Sequence, residues 1–240
     1  MTMLWSRDPE GDTRLGLSPA YSWRVWAFVL STFIVVHYLL FGIVDNIIDT
    51  RLCIGYSPDP LFRFIPLDTR WYLVTRWLYI GMIIAATTAV LVQTYRGVHT
   101  PALRWALALC FMTSMRMVTL LTIPLCRITV TPFGPPPIPS TQMLDLHFFS
   151  VPFRMFAQND LVYSGHTAVF LLLLMATRTW FKIARIWVGI YLALMIYGLL
   201  ATRDHYTVDI LLAFPCAFFA NFLAVKILRS LNPDPHPPGS

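Results

Sequence analysis

Two short segments of this 240-residue sequence carry histidines in positions suited to chemistry. The first reads Asp-Leu-Val-Tyr-Ser-Gly-His-Thr over 160–167, and the second reads His-Tyr-Thr-Val-Asp over 205–209. Each places a histidine, His166 or His205, at the beginning of an apolar run. Because Asp209 follows His205 by four residues, the two side chains would share one face of a helix and could touch.

A carboxylate bonded to one imidazole nitrogen fixes the tautomer and raises the basicity of the other nitrogen. His205 with Asp209 is therefore a candidate nucleophile, and phosphorus is a suitable target because a phosphohistidine can form and pass its group on. His166 is the candidate general acid for a departing alkoxide. It opens a helix, where amide donors and the positive dipole end favour phosphate, and Gly165 permits close backbone approach.

Two other interpretations of these residues stay open. His166, His205 and Asp209 could ligate a metal, although the chain has no HExxH motif and no second carboxylate cluster. They could also be structural, since a histidine in a membrane helix is often only hydrogen-bonded, which is how we interpret His37. An aspartate entering a membrane span costs about 1–3 kcal/mol, depending on its depth, and usually marks function. This cost favours a functional role for Asp209.

The composition indicates a membrane protein. Hydrophobic residues make up 57% of the chain and charged residues 12%, whereas a soluble domain carries about 25% charged residues. A soluble fold of this size could not hide so much apolar surface. The net charge of +6 comes from basic residues scattered beside apolar runs. That pattern suits membrane topology and anionic headgroups, so we expect no nucleic-acid partner.

The apolar runs predict an all-α fold, a polytopic membrane bundle with six transmembrane helices, since a span needs about 20 apolar residues. The chain divides into a cytosolic N-terminal segment (1–20), a six-helix catalytic domain (21–230) and a disordered cytosolic tail (231–240). The six predicted spans are approximately 24–44, 72–95, 103–125, 164–180, 184–200 and 206–228.

The distribution of Lys and Arg sets the predicted orientation, because basic residues favour cytosolic flanks. It places both termini in the cytosol and the starts of the fourth and sixth spans together on the exoplasmic or lumenal side. Cys53 and Cys126 then lie in loops on one side, where a disulfide between them is compatible with the topology. Cys110 and Cys216 lie inside apolar runs and are expected to pack.

The two histidine segments resemble the signature of the sphingomyelin synthase family over about 158–214. That signature has a Ser-Gly-His-Thr segment following an aspartate, and a His-Tyr-Thr-x-Asp segment after one intervening helix. A weaker similarity to the family's third-helix motif lies in the segment 116–124, which begins at Arg116. The early proline motif of the family is at best blurred in the segment 59–68.

The resemblance implies a headgroup transferase that works in two half-steps. His205, oriented by Asp209, would attack the phosphate of a glycerophospholipid, and diacylglycerol would leave with a proton from His166. The primary hydroxyl of ceramide would then take the headgroup, with His166 acting as base. The implied partners are these lipids and the membrane, and no metal or diffusible cofactor is expected. The oligomeric state is left open, and a homo-oligomer is compatible with the sequence.

The wider relatives of that family are the type 2 phosphatidic acid phosphatases, which share the histidine pair. Their pattern has Lys-x6-Arg-Pro and Ser-Arg-x5-His-x3-Asp, whereas this chain has Leu199 six residues before His205 and no Lys-x6-Arg-Pro. These departures favour a transferase over a plain phosphatase. Arg116 and Arg203 are candidates to neutralise the phosphate, and a salt bridge to a buried carboxylate is an equal alternative for Arg116. The full set of candidate substrate-binding residues is Asp160, Tyr163, Ser164, Gly165, Arg116, Arg203 and Tyr206.

Competing functions remain at this stage. A phospholipase C or a lipid phosphatase would share the phosphohistidine and differ only in using water as acceptor. A lipid scaffold or transporter would need no catalysis. The headgroup is also open, with choline or ethanolamine favoured. Aromatic residues such as Tyr163, Tyr206 and Trp71 would suit choline, and carboxylates such as Asp160 and Asp204 would suit ethanolamine. Inositol would need more polar side chains than we can locate.

Overall fold

A computed structural model describes residues 21–40, 59–95, 99–122, 163–176 and 182–231, which form helices joined by turns. Within these ranges no strand occurs, and the predicted all-α class is confirmed. A 3-10 turn, Pro60–Arg63, precedes the second helix. The helices are α1 (Trp23–Ile34, continued as the π-helix Val35–Leu40), α2 (Trp71–Tyr95), α3 (Thr100–Thr122), α4 (Gly165–Ala176), α5 (Lys182–Ala201) and α6 (Thr207–Leu231).

Helices α2, α3, α5 and α6 are long and apolar enough to cross a membrane, over Trp71–Tyr95, Thr100–Thr122, Ala184–Ala201 and Thr207–Leu231. Two shorter apolar helices, Trp23–His37 and Gly165–Met175, accompany them. Each of the six predicted apolar runs thus overlaps one of these helices. The protein is a multi-pass membrane bundle, because a helix satisfies its own backbone groups where no water is available.

The outer face of α2 shows why the bundle needs a bilayer. Leu73, Trp77, Ile84 and Leu91 are all about three-fifths exposed, at 60%, 62%, 61% and 62%. A contiguous apolar surface of this kind is rare on a soluble monomer. Acyl chains solvate it without a free-energy cost, so the helix can be apolar on nearly every side.

The core of the bundle lies where α3 packs on α6, with α4 against both. The buried face of α6 carries alanines at helical spacing, and Ala213, Ala217, Ala220 and Ala224 are fully buried. Small side chains let neighbouring backbones approach closely, which is how helices associate inside a bilayer. This close packing brings the starts of α4 and α6 to one end of the bundle.

His37 in the π-helical turn has the structural contacts expected of it. Its Nδ1 lies 3.2 Å from the Phe33 carbonyl and its Nε2 lies 2.9 Å from Thr113 Oγ1 on α3. Because a carbonyl only accepts, Nδ1 carries the proton and Nε2 accepts from the threonine hydroxyl. His37 therefore joins α1 to α3 by a polar contact.

Several predictions concern parts of the chain outside the described residues. These are the N-terminal segment 1–20, the chain after Leu231, the pair Cys53 and Cys126, and the candidate substrate-binding residue Asp160.

Candidate active site

The Ser-Gly-His-Thr segment forms the beginning of α4. Ser164 stands at the N-cap position, where its Oγ accepts from the Thr167 N–H at 3.2 Å and from Thr167 Oγ1 at 3.0 Å. Its carbonyl accepts the first helical bond, from the Ala168 N–H at 3.0 Å. Serine is among the preferred residues at this position because its oxygen satisfies an otherwise unpaired amide. Ser164 thus fixes where the helix begins and places His166 in its first turn.

The second segment is organised differently from the sequence expectation. His205 lies in the turn before α6 rather than on the helix, and Tyr206 is the last residue before the helix. Asp209 Oδ2 accepts from the Tyr206 N–H at 2.9 Å, which is one half of a capping box. The same oxygen lies 3.6 Å from His205 Nδ1. The helix cap, not a shared helical face, therefore brings the carboxylate to the imidazole.

The separation of 3.6 Å is an ion-pair distance and exceeds that of a hydrogen bond. Catalytic hydrogen bonds are often long without substrate and shorten when it binds. Asp209 faces Nδ1, so Nε2 is the nitrogen of His205 that is left for chemistry. This arrangement matches the orientation of an imidazole nucleophile by a carboxylate.

The starts of α4 and α6 are joined directly. The Ser164 N–H donates to the Asp209 carbonyl at 3.0 Å. The rings of His166 and His205 have centroids 6.0 Å apart and lie at 64° to each other. The structure therefore brings the three sequence-predicted residues, His166, His205 and Asp209, to one place. Two imidazoles at this separation can flank a single tetrahedral phosphoryl group.

The pair of His205 and Asp209 is deeply buried, with residue exposures of 3% and 0%. Asp209 Oδ1 and His205 Nδ1 have no hydrogen-bond partner among the described residues. Burying a polar atom without a hydrogen bond costs roughly 1–3 kcal/mol, so such atoms need an explanation. A site in which the carboxylate stabilises a positive charge formed on the imidazole supplies one.

Arg116 on α3 reaches the beginning of α4. Its side chain is buried, and its Nη1 donates to the Tyr163 carbonyl at 3.2 Å. The guanidinium packs so closely on Gly165 that a Cβ there would overlap it. A guanidinium beside helical amide donors is a favourable anion site. Arg116 thus places a positive charge next to His166.

Replacing Gly165 with Ala is expected to lower activity at least 10-fold, because the added methyl must push the Arg116 guanidinium away from α4. Intrinsic helix propensity acts in the opposite direction, by up to about 1 kcal/mol in favour of Ala. Turnover and Tm of the purified variant measure both effects. Gly189→Ala on α5 is the matched control, since a Cβ there has nothing within 4 Å. Wild-type turnover by Gly165→Ala would contradict the close packing.

The side chain of Arg203 donates to backbone carbonyls. Its Nη1 donates to the Leu200 carbonyl at 2.8 Å, and its Nη2 donates to the carbonyls of Phe62 and Ile65 at 3.0 and 2.7 Å. Its Cζ lies 3.9 Å from the centroid of the Phe62 ring. The structure thus places this candidate phosphate ligand as a connection between the 3-10 turn and the turn before α6.

The two candidate tyrosines are packed into the fold. The Tyr163 hydroxyl donates to the Met112 carbonyl on α3. Tyr206 is 2% exposed, and its ring stacks on Phe62 with centroids 6.0 Å apart. Both residues therefore shape the ends of α4 and α6 at the site.

Sequence reasoning missed two residues next to the site. Tyr79 on α2 meets the His166 ring edge-on, with centroids 4.4 Å apart at 65°. The Asp59 carboxylate accepts from the Thr207 hydroxyl at 2.7 Å, at the first residue of α6. Nothing in the apolar pattern of α2 marks Tyr79, and the only signal for Asp59 is its position before Pro60.

No group of three or more His, Cys, Asp or Glu side chains in the described parts of the chain is arranged to hold a metal ion. The metal interpretation of His166, His205 and Asp209 thus finds no ligand set there.

Residues 159–225 match the family model described as PAP2 superfamily C-terminal. The matched stretch contains both histidine segments and supports a relation to the type 2 phosphatidic acid phosphatases. It indicates an enzyme with phosphatase-like or phosphotransferase chemistry on lipids. No curated protein and no solved structure matches the chain.

Proposed function

We propose that this enzyme transfers phosphocholine or phosphoethanolamine from a glycerophospholipid to ceramide and releases diacylglycerol. The observation that carries the proposal is the pairing of the His166 and His205 rings, 6.0 Å apart, with Asp209 behind His205. Two imidazoles on either side of one phosphorus can serve a nucleophile and a proton donor at once. The surrounding helices are apolar enough to cross a membrane, which is where lipid substrates are found.

In the first half-reaction, His205 Nε2 attacks the phosphorus of the donor lipid. The phosphorus–oxygen bond to diacylglycerol breaks, and His166 donates a proton to the departing alkoxide. Asp209 stabilises the positive charge that develops on the His205 ring. The product is a phosphohistidine that carries the headgroup, together with free diacylglycerol.

In the second half-reaction, His166 removes the proton from the primary hydroxyl of ceramide. The ceramide oxygen bonds to phosphorus as the phosphorus–nitrogen bond to His205 breaks. Both histidines return to their starting protonation states, so the cycle balances. Arg116 and the amide donors at the beginning of α4 bind the phosphate oxygens in both steps.

The proposed site faces the exoplasmic or lumenal side, with both termini cytosolic, as the distribution of basic residues favours. Asp160 belongs to the proposed substrate-binding set through its place four residues before Ser164. The alternative function is hydrolysis of the same phospholipids as a lipid phosphatase or phospholipase C. The match to the PAP2 superfamily favours that alternative as a second candidate.

Transfer and hydrolysis differ in their dependence on ceramide. Purified enzyme incubated with labelled phosphatidylcholine, phosphatidylethanolamine or phosphatidylinositol should release diacylglycerol at least 10-fold faster when ceramide is present. The headgroup should appear on ceramide in an amount equal to the diacylglycerol. Equal release without ceramide would reject transfer in favour of hydrolysis, and no release from any lipid would reject both.

A further inference from the structure

The segment 59–65, which we call the strap, lies against the turn that carries His205. The Asp59 carboxylate accepts from both the N–H and the hydroxyl of Thr207, the latter at 2.7 Å. It also accepts from the Leu61 N–H at 2.9 Å, which starts the 3-10 turn. One carboxylate therefore fixes the shape of the strap and attaches it to the first residue of α6.

The strap holds the turn on the other side of His205 as well. Arg203 Nη2 donates to the strap carbonyls of Phe62 and Ile65. The Arg203 guanidinium also covers the Phe62 ring. Tyr206, which follows His205 in the sequence, stacks on the same ring. Residues before and after His205 thus rest on the same short segment.

Charge supports the same arrangement. Partial burial lowers the pKa of the Arg203 guanidinium, and the negative charge of Asp59 opposes that shift. The positive charge of Arg203 and the negative charge of Asp59 in the strap therefore attract each other. Arg203 also adopts a left-handed backbone conformation, with φ of 61°. A non-glycine residue keeps such a conformation only when surrounding contacts hold it.

His205 needs external support because it precedes α6. The hydrogen bonds of that helix begin with the carbonyls of its first turn, and its leading N–H groups have no partner within the helix. Asp59 satisfies one of these groups, at Thr207. Helix-end contacts also hold this turn, because the N–H groups of Arg203 and Asp204 donate to the last turn of α5 and that of Tyr206 donates to Asp209. The strap adds tertiary contacts on both sides of His205, through Arg203 and Thr207.

We propose that Asp59 and Arg203 are positioning residues that hold the His205 ring at the distance from His166 required for reaction. Neither residue touches the proposed substrate atoms. Their effect on turnover rests on the proposed function, whereas their effect on His205 itself does not. An error of about 1 Å in the position of a reacting group can cost roughly 100-fold in rate.

Asp59→Ala is expected to lower kcat about 30-fold and to change KM less than 3-fold, because Asp59 is not among the proposed substrate-binding residues. Thr207→Val, which removes one hydroxyl donor and keeps the backbone N–H, should lower kcat about 5-fold. Thr207→Ser keeps the hydroxyl and should have the kcat of wild type. In the double variant Asp59→Ala/Thr207→Val, the loss should equal that of Asp59→Ala alone, since the two groups act through one contact.

Asp68→Ala is the matched control in the same stretch of chain. The Asp68 carboxylate pairs with Arg70 at 2.9 Å, and that hydrogen bond holds the pKa of Asp68 below its usual value. The attachment of residue 68 to α5 runs through its backbone N–H, which the substitution keeps. Wild-type kcat is therefore expected from this variant.

A second readout is independent of turnover: the rate at which diethyl pyrocarbonate modifies His205. The folded, full-length protein is labelled and then digested, and mass spectrometry of the peptides measures the modification. Asp59→Ala and Thr207→Val should change this rate at least 3-fold, and Asp68→Ala should not. If both variants keep wild-type kcat and wild-type His205 reactivity, the positioning role is wrong. If wild-type protein turns over no lipid while the reactivity still changes, the positioning role stands and the proposed function fails.

Discussion

His205→Gln is expected to abolish turnover, with a loss of at least 10⁴-fold in kcat. Glutamine keeps a polar side chain of similar reach but has no nitrogen able to form a bond to phosphorus. Loss of a covalent nucleophile typically costs on the order of 10⁴–10⁶ in rate. The measurement is headgroup transfer by purified enzyme, together with trapping of acid-labile phosphate on the protein. Wild type should trap label on His205, and His205→Gln should trap none.

His37→Gln provides the matched histidine control. His37 makes two polar contacts within the bundle, to the Phe33 carbonyl and to Thr113. An amide can make one of these contacts as donor, so we expect kcat within about 3-fold of wild type. Full activity by His205→Gln with undiminished phosphate trapping would refute His205 as the nucleophile.

Asp209→Asn is expected to lower kcat about 10³-fold without lowering Tm. The amide oxygen can still accept from the Tyr206 N–H, so the helix cap survives, while the negative charge facing His205 is lost. That charge stabilises the positive ring formed during attack on phosphorus. Because a buried charge is costly to desolvate, a neutral isostere there is expected to leave stability equal or raised.

Asp209→Ala separates the two roles of this side chain. It removes the charge and also the acceptor for the Tyr206 N–H, so both kcat and Tm should fall, the latter by the equivalent of about 1 kcal/mol of capping energy. Thermal unfolding in detergent and transfer assays on the same preparations measure the two effects. An Asn variant with wild-type kcat would show that the charge of Asp209 has no part in the reaction.

The fold class was readable from the sequence because a bilayer permits few solutions. Uncovered backbone groups cannot face lipid, so each long apolar run must become a helix. The run 72–95 accordingly coincides with α2, Trp71–Tyr95, to within one residue. The same apolar character hides which face of α2 points inward, and the contact of Tyr79 with His166 could not be predicted for that reason.

The spacing of His205 and Asp209 predicted their proximity but not its cause. A distance of four residues suits a helical face, yet His205 precedes the helix and the cap at Tyr206 brings the carboxylate back. For Arg203, the sequence predicted a different role from the one its contacts indicate. Its charge near a phosphate-binding motif favoured a role as ligand, whereas its donors reach carbonyls on a strap that is distant in sequence. Such contacts depend on tertiary geometry, which local patterns do not encode.

The hydrogen bond from the Ser164 N–H to the Asp209 carbonyl links two helices at their starting points. Helices in a bundle tilt when the hydrocarbon layer thickens or thins. Since α4 and α6 share this link, we expect a change in tilt to move the two imidazoles together. Turnover should then depend little on the thickness of the bilayer in which the protein is reconstituted.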